Sequence, residues 1–163
     1  MSSPFIILGW KEWVSLPHLN LPAIKAKIDT GAATSSIHAY HIEYFNKDNK
    51  TFVKYLLHPI QRNKKITIPC ISEVIDEREV KSSSGQKEVR PVIKTLLKIG
   101  KSSWEIELNL TNRDLMYMRM LLGREALSSR VLVDPNHKFL HGNFTMRKIN
   151  KLYTYENSDI IQK

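Results

Sequence analysis

A chain of 163 residues, 42% hydrophobic and 25% charged, suits one domain with its own core. Its apolar runs, such as Phe5-Ile6-Ile7-Leu8, are far too short to span a bilayer, and neither a basic leader nor a cleavage site marks a signal peptide. A net charge of +9 admits three partners: nucleic acid, an anionic membrane surface, or an acidic substrate. The basic residues are not interleaved with aromatics as on a base-stacking platform, and no nucleic-acid signature appears, so nucleic acid and membrane are not expected as partners. A solvated basic surface ranks first and acidic peptides second. Cys70 stands alone, which rules out an internal disulfide and fits a reducing cytoplasm.

Ile6 to Ser15 reads as a first strand with a bulge at Gly9. Pro17 and Pro22 bracket a turn, and residues 23–29 form the next strand, alternating apolar and basic residues up to Asp29. Small residues follow: Thr30, Gly31, Ala32, Ala33, Thr34, Ser35 and Ser36. A strand thus delivers a carboxylate into a tight loop, where hydroxyls and backbone N–H groups can orient it. Acid proteases need that arrangement, because a rigidly held carboxylate must meet a second one, share a proton with it and activate a water. Two-lobed acid proteases carry two such loops. This chain has one Asp-Thr-Gly, so the second aspartate is expected from a second copy.

Ile37 to Phe45 reads as a strand, 46–50 as a hairpin turn and Thr51 to His58 as its partner. Ile71 to Lys81 and Val89 to Ile99 form a long hairpin about the small residues Ser82-Ser83-Ser84-Gly85-Gln86. Gly100-Lys101 turns into Trp104 to Leu110, and Met116 to Arg119 is ambiguous. Met120 to Leu122 is a buried strand ending at Gly123; Glu125 to Ser129 is a short helix; Val131 to Val133 is a strand stopped by Pro135. Residues 5–145 form one unit, and 146–163 a polar C-terminal tail expected to fray. Many short strands with turn signals argue for an all-β barrel or sandwich.

The order Asp29-Thr30-Gly31-Ala32, flexible hairpin, Leu121-Leu122-Gly123-Arg124 resembles retroviral-type aspartic proteases. A bacterial retropepsin-like family, first labelled ATP-dependent zinc proteases, is a closer match. Its pattern is similar to Gly9-Trp10-Lys11-Glu12-Trp13-Val14, Ala23 to Ala32, Val80 to Gly85, Arg90-Pro91-Val92-Ile93, Leu110 to Asp114 and Arg119 to Arg124. The resemblance implies an all-β, closed or partly open small barrel with one short C-terminal helix, and a homodimer in which Asp29 activates water. It also implies association with an ATP-grasp ligase that adds glutamate to peptides or proteins, and hence acidic substrates for a basic protein. Relatives often carry Arg after Asp-Thr-Gly-Ala, where this chain has Ala33; the acids that retroviral enzymes place there are absent as well, so Arg124 needs another partner.

Within that resemblance Asp29 is the general base, its mate the general acid; Thr30 braces the dimer and Gly31 admits backbone close to the carboxylate. Ser83, Ser84 and Gly85 form a flap tip, and Arg119 binds a substrate carboxylate. Arg124 reads better as part of a surface network. The residues themselves leave other readings open: a turn aspartate capping local N–H groups, a solvated hairpin end, a non-catalytic module for a ligase. For zinc, no His-Glu-x-x-His occurs, His38/His41 and His137/His141 are closely spaced pairs, and His58 and Cys70 are distant, so no metal is expected. No phosphate-cradling Gly-x-x-x-x-Gly-Lys-Ser/Thr loop occurs, so no nucleotide cofactor is expected either.

Overall fold

The computed structural model describes residues 4–81, 84–112 and 118–161, the last seven as backbone alone. Twelve strands and two helices follow one another among these residues. The predicted first strand is two: β1 (Ile6–Leu8) and β2 (Lys11–Leu16), which enter different sheets because the chain bends at Gly9 and Trp10. A Cβ on Gly9 would lie 2.3 Å from the His137 carbonyl oxygen, so only glycine permits this bend.

A 3-10 turn (Pro17–Leu19) ends at Asn20 in the left-handed conformation and leads into β3 (Leu21–Ile28). The predicted strand 37–45 is also two, β4 (Ser35–His38) and β5 (Tyr40–Lys47). β5 turns through Asp48 and Asn49, both at positive φ, into β6 (Lys50–Leu57), the mirror-image turn that suits a two-residue hairpin. β7 (Ile68–Glu73) completes a three-stranded sheet whose Val53, Tyr55, Leu57, Ile68 and Cys70 face the core. The long predicted hairpin is β8 (Asp76–Lys81) against β9 (Lys87–Ile99); its expected first residues, 71–73, belong instead to β7. β10 (Ser102–Thr111), β11 (Met120–Leu122), α1 (Arg124–Leu127) and β12 (Val131–Val133) follow.

Pairing closes a ring. β10 lies beside β4, β4 beside β11, β11 beside β3, β3 beside β2, β2 beside β9, and β9 returns to β10, with β8 hanging from β9. The β2–β9 seam rests on one register pair, Ser15 with Lys98, so the barrel is only just closed there. Ile24, Ala26, Ile28, Ile37, Ile93, Leu97, Leu108 and Leu122 fill its interior, the alternate residues of each strand pointing inward.

Two departures from the sequence reading concern polar residues. The tail expected to fray forms α2 (Met146–Ile161), capped by Thr145, whose side-chain oxygen accepts the Lys148 N–H at 3.2 Å. Ile149 and Tyr153, one helical turn apart, are 0% and 1% exposed, and the Tyr153 hydroxyl donates to the Ala23 carbonyl. Burying such a side chain contributes about 2 kcal/mol, enough to hold an otherwise polar helix on β3. Glu12 is fully buried and accepts N–H groups from Gly9 (2.7 Å), Leu140 (3.2 Å) and His141 (3.3 Å), fastening the segment after β12 to the β1–β2 bend. Glu12→Ala strands those donors. It is expected to cost about 3 kcal/mol and to lower the melting temperature by about 10 °C, read by thermal denaturation.

Candidate active site

Asp29 follows β3 directly. Its N–H donates to the Leu122 carbonyl at 2.9 Å, continuing the parallel β3–β11 pairing by one residue. Its Oδ1 accepts the Gly31 N–H at 3.0 Å, the side-chain-to-backbone turn that aspartate favours, and the Ala32 N–H reaches the Asp29 carbonyl at 3.3 Å. Oδ2 has Lys27 Nζ at 4.0 Å, and the side chain is 29% exposed. One carboxylate oxygen is thus fixed by backbone, and the other lies beside a cation.

The loop is clamped from the far side by the start of α1. Arg124 N–H donates to Ala32 O at 2.8 Å, Glu125 N–H to Ala33 O at 3.0 Å, and Gly123 N–H to Ser35 Oγ at 3.0 Å. The clamp needs close approach: a Cβ on Gly123 would sit 2.6 Å from Thr34 O and 2.9 Å from Ala32 O. Arg124, which the sequence left in need of a partner, donates from Nη1 to Thr30 O at 3.0 Å. Arg124→Ala removes one loop tie and is expected to cost about 1 kcal/mol, measured by denaturant unfolding. α1 is itself moored to β10, since Trp104 Nε1 donates to Ala126 O at 2.9 Å.

A second set of polar groups, missed by the sequence reading, runs from the hairpin to this loop. Arg90 on β9 is 5% exposed; its Nη1 donates to Asn109 Oδ1 (3.1 Å) and Ser36 Oγ (3.3 Å), and its Nε to Glu88 (3.0 Å). Asn109 Nδ2 then donates to Thr34 Oγ1 at 3.2 Å. On β8, Arg78 bridges Asp76, Glu107 and Glu125, and together these carboxylates raise its pKa. The hairpin is therefore wired to the C-terminal end of the Asp29 loop, at Ala33, Thr34 and Ser36. The Arg90-Pro91-Val92-Ile93 block was the only sign of this in the sequence, and it did not identify the partners.

The other predicted site residues are spread out. Thr30 and Gly31 are exposed beside Asp29. Ser84 and Gly85 (φ +86°) lie exposed in the β8–β9 turn, while Ser83 lies outside the described residues. Arg119 is 8% exposed at the far end of β11, three residues, or about 10 Å of strand, from Leu122. His58, His137 and His141 have separate partners. Tyr40 hydroxyl meets His58 Nε2, which also lies 3.1 Å from Thr67 Oγ1; His137 pairs with Asp134 at 2.7 Å; His141 Nε2 donates to Ile7 O at 2.9 Å. Among the described residues no group of three His, Cys, Asp or Glu side chains is placed to hold a metal ion. Burial pushes the Cys70 thiol up to about 12, which leaves it unreactive at neutral pH. Among the described residues no helix is long and apolar enough to cross a membrane.

The fold recurs in the crystal structure of a protein of unknown function (DUF785) from Legionella pneumophila, 29% identical, with a TM-score of 0.68 over 83% of this chain and 98% of that one. Two proteins named probable alpha-L-glutamate ligase, from Shewanella pealeana and Desulfotalea psychrophila, are 48% and 45% identical over 94% and 93% of this chain. The chain spans about a third, 33%, of the length of those relatives. Residues 7–143 match the family model described as RimB-like, retropepsin-like aspartic endopeptidase RimB, and they contain the Asp29 loop, the hairpin and the Gly123 clamp. By that match over most of its length, the chain belongs to the RimB-like family of retropepsin-like proteins.

Proposed function

We propose that this chain is an aspartic peptidase whose active site is completed by a second copy, each copy supplying one Asp29. The Asp29 loop carries this reading. Its carbonyls at Thr30, Ala32 and Ala33 and one carboxylate oxygen are all fixed, while the other oxygen has only Lys27 Nζ, at 4.0 Å, beside it on a side chain 29% exposed. Two such carboxyls about 3 Å apart across a two-fold axis share one proton. The ionised member takes a proton from a water whose oxygen bonds to the substrate carbonyl carbon, and the protonated member gives its proton to the carbonyl oxygen. The carboxyl that gained the water proton gives it to the nitrogen, the other carboxylate takes a proton from a diol hydroxyl, and the diol collapses as the C–N bond breaks.

Thr30 and Gly31 brace the loop, and Ser83, Ser84 and Gly85 close over the substrate and keep water out. Arg119 fits a substrate carboxylate less well, because its side chain is buried. The bond is a peptide or glutamyl amide in an acidic chain, a choice supported by the +9 charge and by relatives named glutamate ligases. The lone buried cysteine supports a cytoplasmic setting.

A second reading is a non-catalytic peptide-binding or regulatory partner of an ATP-grasp ligase. It is favoured by the match to only a third of each ligase-named relative, as though this unit accompanies a ligase. Incubating the protein with glutamate-extended and ordinary peptides separates the two. Hydrolysis by the wild type that Asp29→Asn lacks supports the peptidase; binding by both proteins without hydrolysis by either supports the module.

A further inference from the structure

We propose that Lys11, Lys25, Lys27 and Lys138 form a subsite for the carboxylates of an extended acidic peptide segment leading to Asp29. The proposal rests on the peptidase reading above and names the residues that would set its specificity. Lys11 pairs in register with Lys27, and Trp13 with Lys25, so Lys11, Lys25 and Lys27 leave the same face of β2 and β3 as Trp13. That face ends at Asp29, whose Oδ2 is 4.0 Å from Lys27 Nζ.

Three of these lysines are gathered without an acid; Lys27 alone has one, Asp29. Lys11 Nζ lies 4.6 Å from the Trp10 ring centroid and 5.2 Å from that of Phe139; Lys25 Nζ lies 5.2 Å from Trp13 and 5.9 Å from the same Phe139 ring. Lys138 is the residue before Phe139. Burial, then Lys138 and Lys25, lower the Lys11 pKa, as expected for ammonium groups crowded together. Among the described residues no carboxylate is ion-paired with Lys11, Lys25 or Lys138; the nearest in sequence, Glu12, is buried and held by backbone N–H groups. Phe139, the shared platform, has φ +53°, a costly backbone for a bulky residue. The fold thus bears both like-charge repulsion and local strain to hold Lys11 and Lys25 on one ring, and a bound anion relieves the repulsion.

Spacing selects the anion. Lys25 and Lys27 are two strand residues apart, about 6.7 Å, which is also the same-side repeat of an extended peptide. Alternate acidic side chains of a peptide lying along β3 therefore meet successive ammonium groups. A single-stranded nucleic acid fits less well, because Trp13 is 7% exposed, its ring packed by Phe139 and Phe144, and the Phe139 ring is occupied by lysine.

The test uses the full chain carrying Asp29→Asn, so that bound peptide survives, and measures hexaglutamate, hexaglutamine and a six-nucleotide oligothymidylate by fluorescence anisotropy. The expected result is a preference for hexaglutamate over hexaglutamine that falls about tenfold in Lys11→Gln/Lys138→Gln, persists in Lys11→Arg/Lys138→Arg and in the remote Lys54→Gln, and weakens with salt. A preference untouched by the glutamine pair overturns the subsite, and so does tighter, equally lysine-dependent binding of the oligonucleotide. Hydrolysis by the protein with native Asp29 is scored separately. Lysine-dependent binding without hydrolysis sinks only the peptidase reading; hydrolysis with lysine-independent binding sinks only the subsite.

Discussion

Asp29→Asn is expected to leave the fold intact and to lower peptide hydrolysis by about a thousandfold or more. The fold survives because asparagine keeps an Oδ1 that can accept the Gly31 N–H, and asparagine favours the same turn as aspartate. Stability is expected to change by no more than about 0.5 kcal/mol. Activity is lost because the amide can neither take the water proton nor share one with its mate. The two-copy site adds a sharper outcome. When wild type and variant are mixed in equal amounts and allowed to exchange subunits, only pairs with two intact aspartates remain active, so about one quarter of the wild-type activity per mole of pairs is expected. A value near one half would mean that each chain works alone. Peptide hydrolysis at fixed total protein, with sedimentation to confirm exchange, decides between them.

The parts of this site visible in the sequence are those where one residue type announces its own backbone. Asp29-Thr30-Gly31 declares a tight turn, Asp48-Asn49 a hairpin, and Leu121-Leu122-Gly123 a buried strand that stops. What stayed hidden depends on residues far apart in the chain. Glu12 occupies an inward position in an alternating strand, yet the three N–H groups that make its burial tolerable come from Gly9, Leu140 and His141. Arg90 looks like a surface cation until Asn109 and Ser36 are brought to it across two strand pairings. The break between β4 and β5 falls at Ala39, and β5 then slips register between Tyr40 and Glu43, where His41 has φ +52°; nothing in Ile37 to Phe45 signals either. α2 was legible and was missed: Ile149, Leu152 and Tyr153 recur at helical spacing inside a polar tail, and that spacing outweighs composition once β3 is there to receive it.

Gly123→Ala is the strongest test of the clamp that holds Asp29. Gly123 has φ −94°, which any residue accepts, so backbone freedom does not explain the glycine; lack of space does. A methyl group there would lie 2.6 Å from Thr34 O and 2.9 Å from Ala32 O, and both neighbours are backbone, with no side-chain rotation to relieve the contact. The Arg124 and Glu125 N–H bonds to Ala32 and Ala33 hold the two segments together at that point, so separation strains them as well. The variant is expected to lose about 3 kcal/mol of stability and, since Asp29 N–H is bonded to Leu122 beside the clash, to lose about a hundredfold in hydrolysis in the fraction that stays folded. Gly142→Ala is the comparison: its added Cβ meets nothing within 4 Å, and its φ of +118° alone costs about 1 kcal/mol. Denaturant unfolding of both variants, followed by peptide hydrolysis under conditions where each is folded, separates a displaced aspartate from general instability. A Gly123→Ala protein that is fully folded and fully active would mean that the close approach of α1 to the Asp29 loop is not what holds the carboxylate in place.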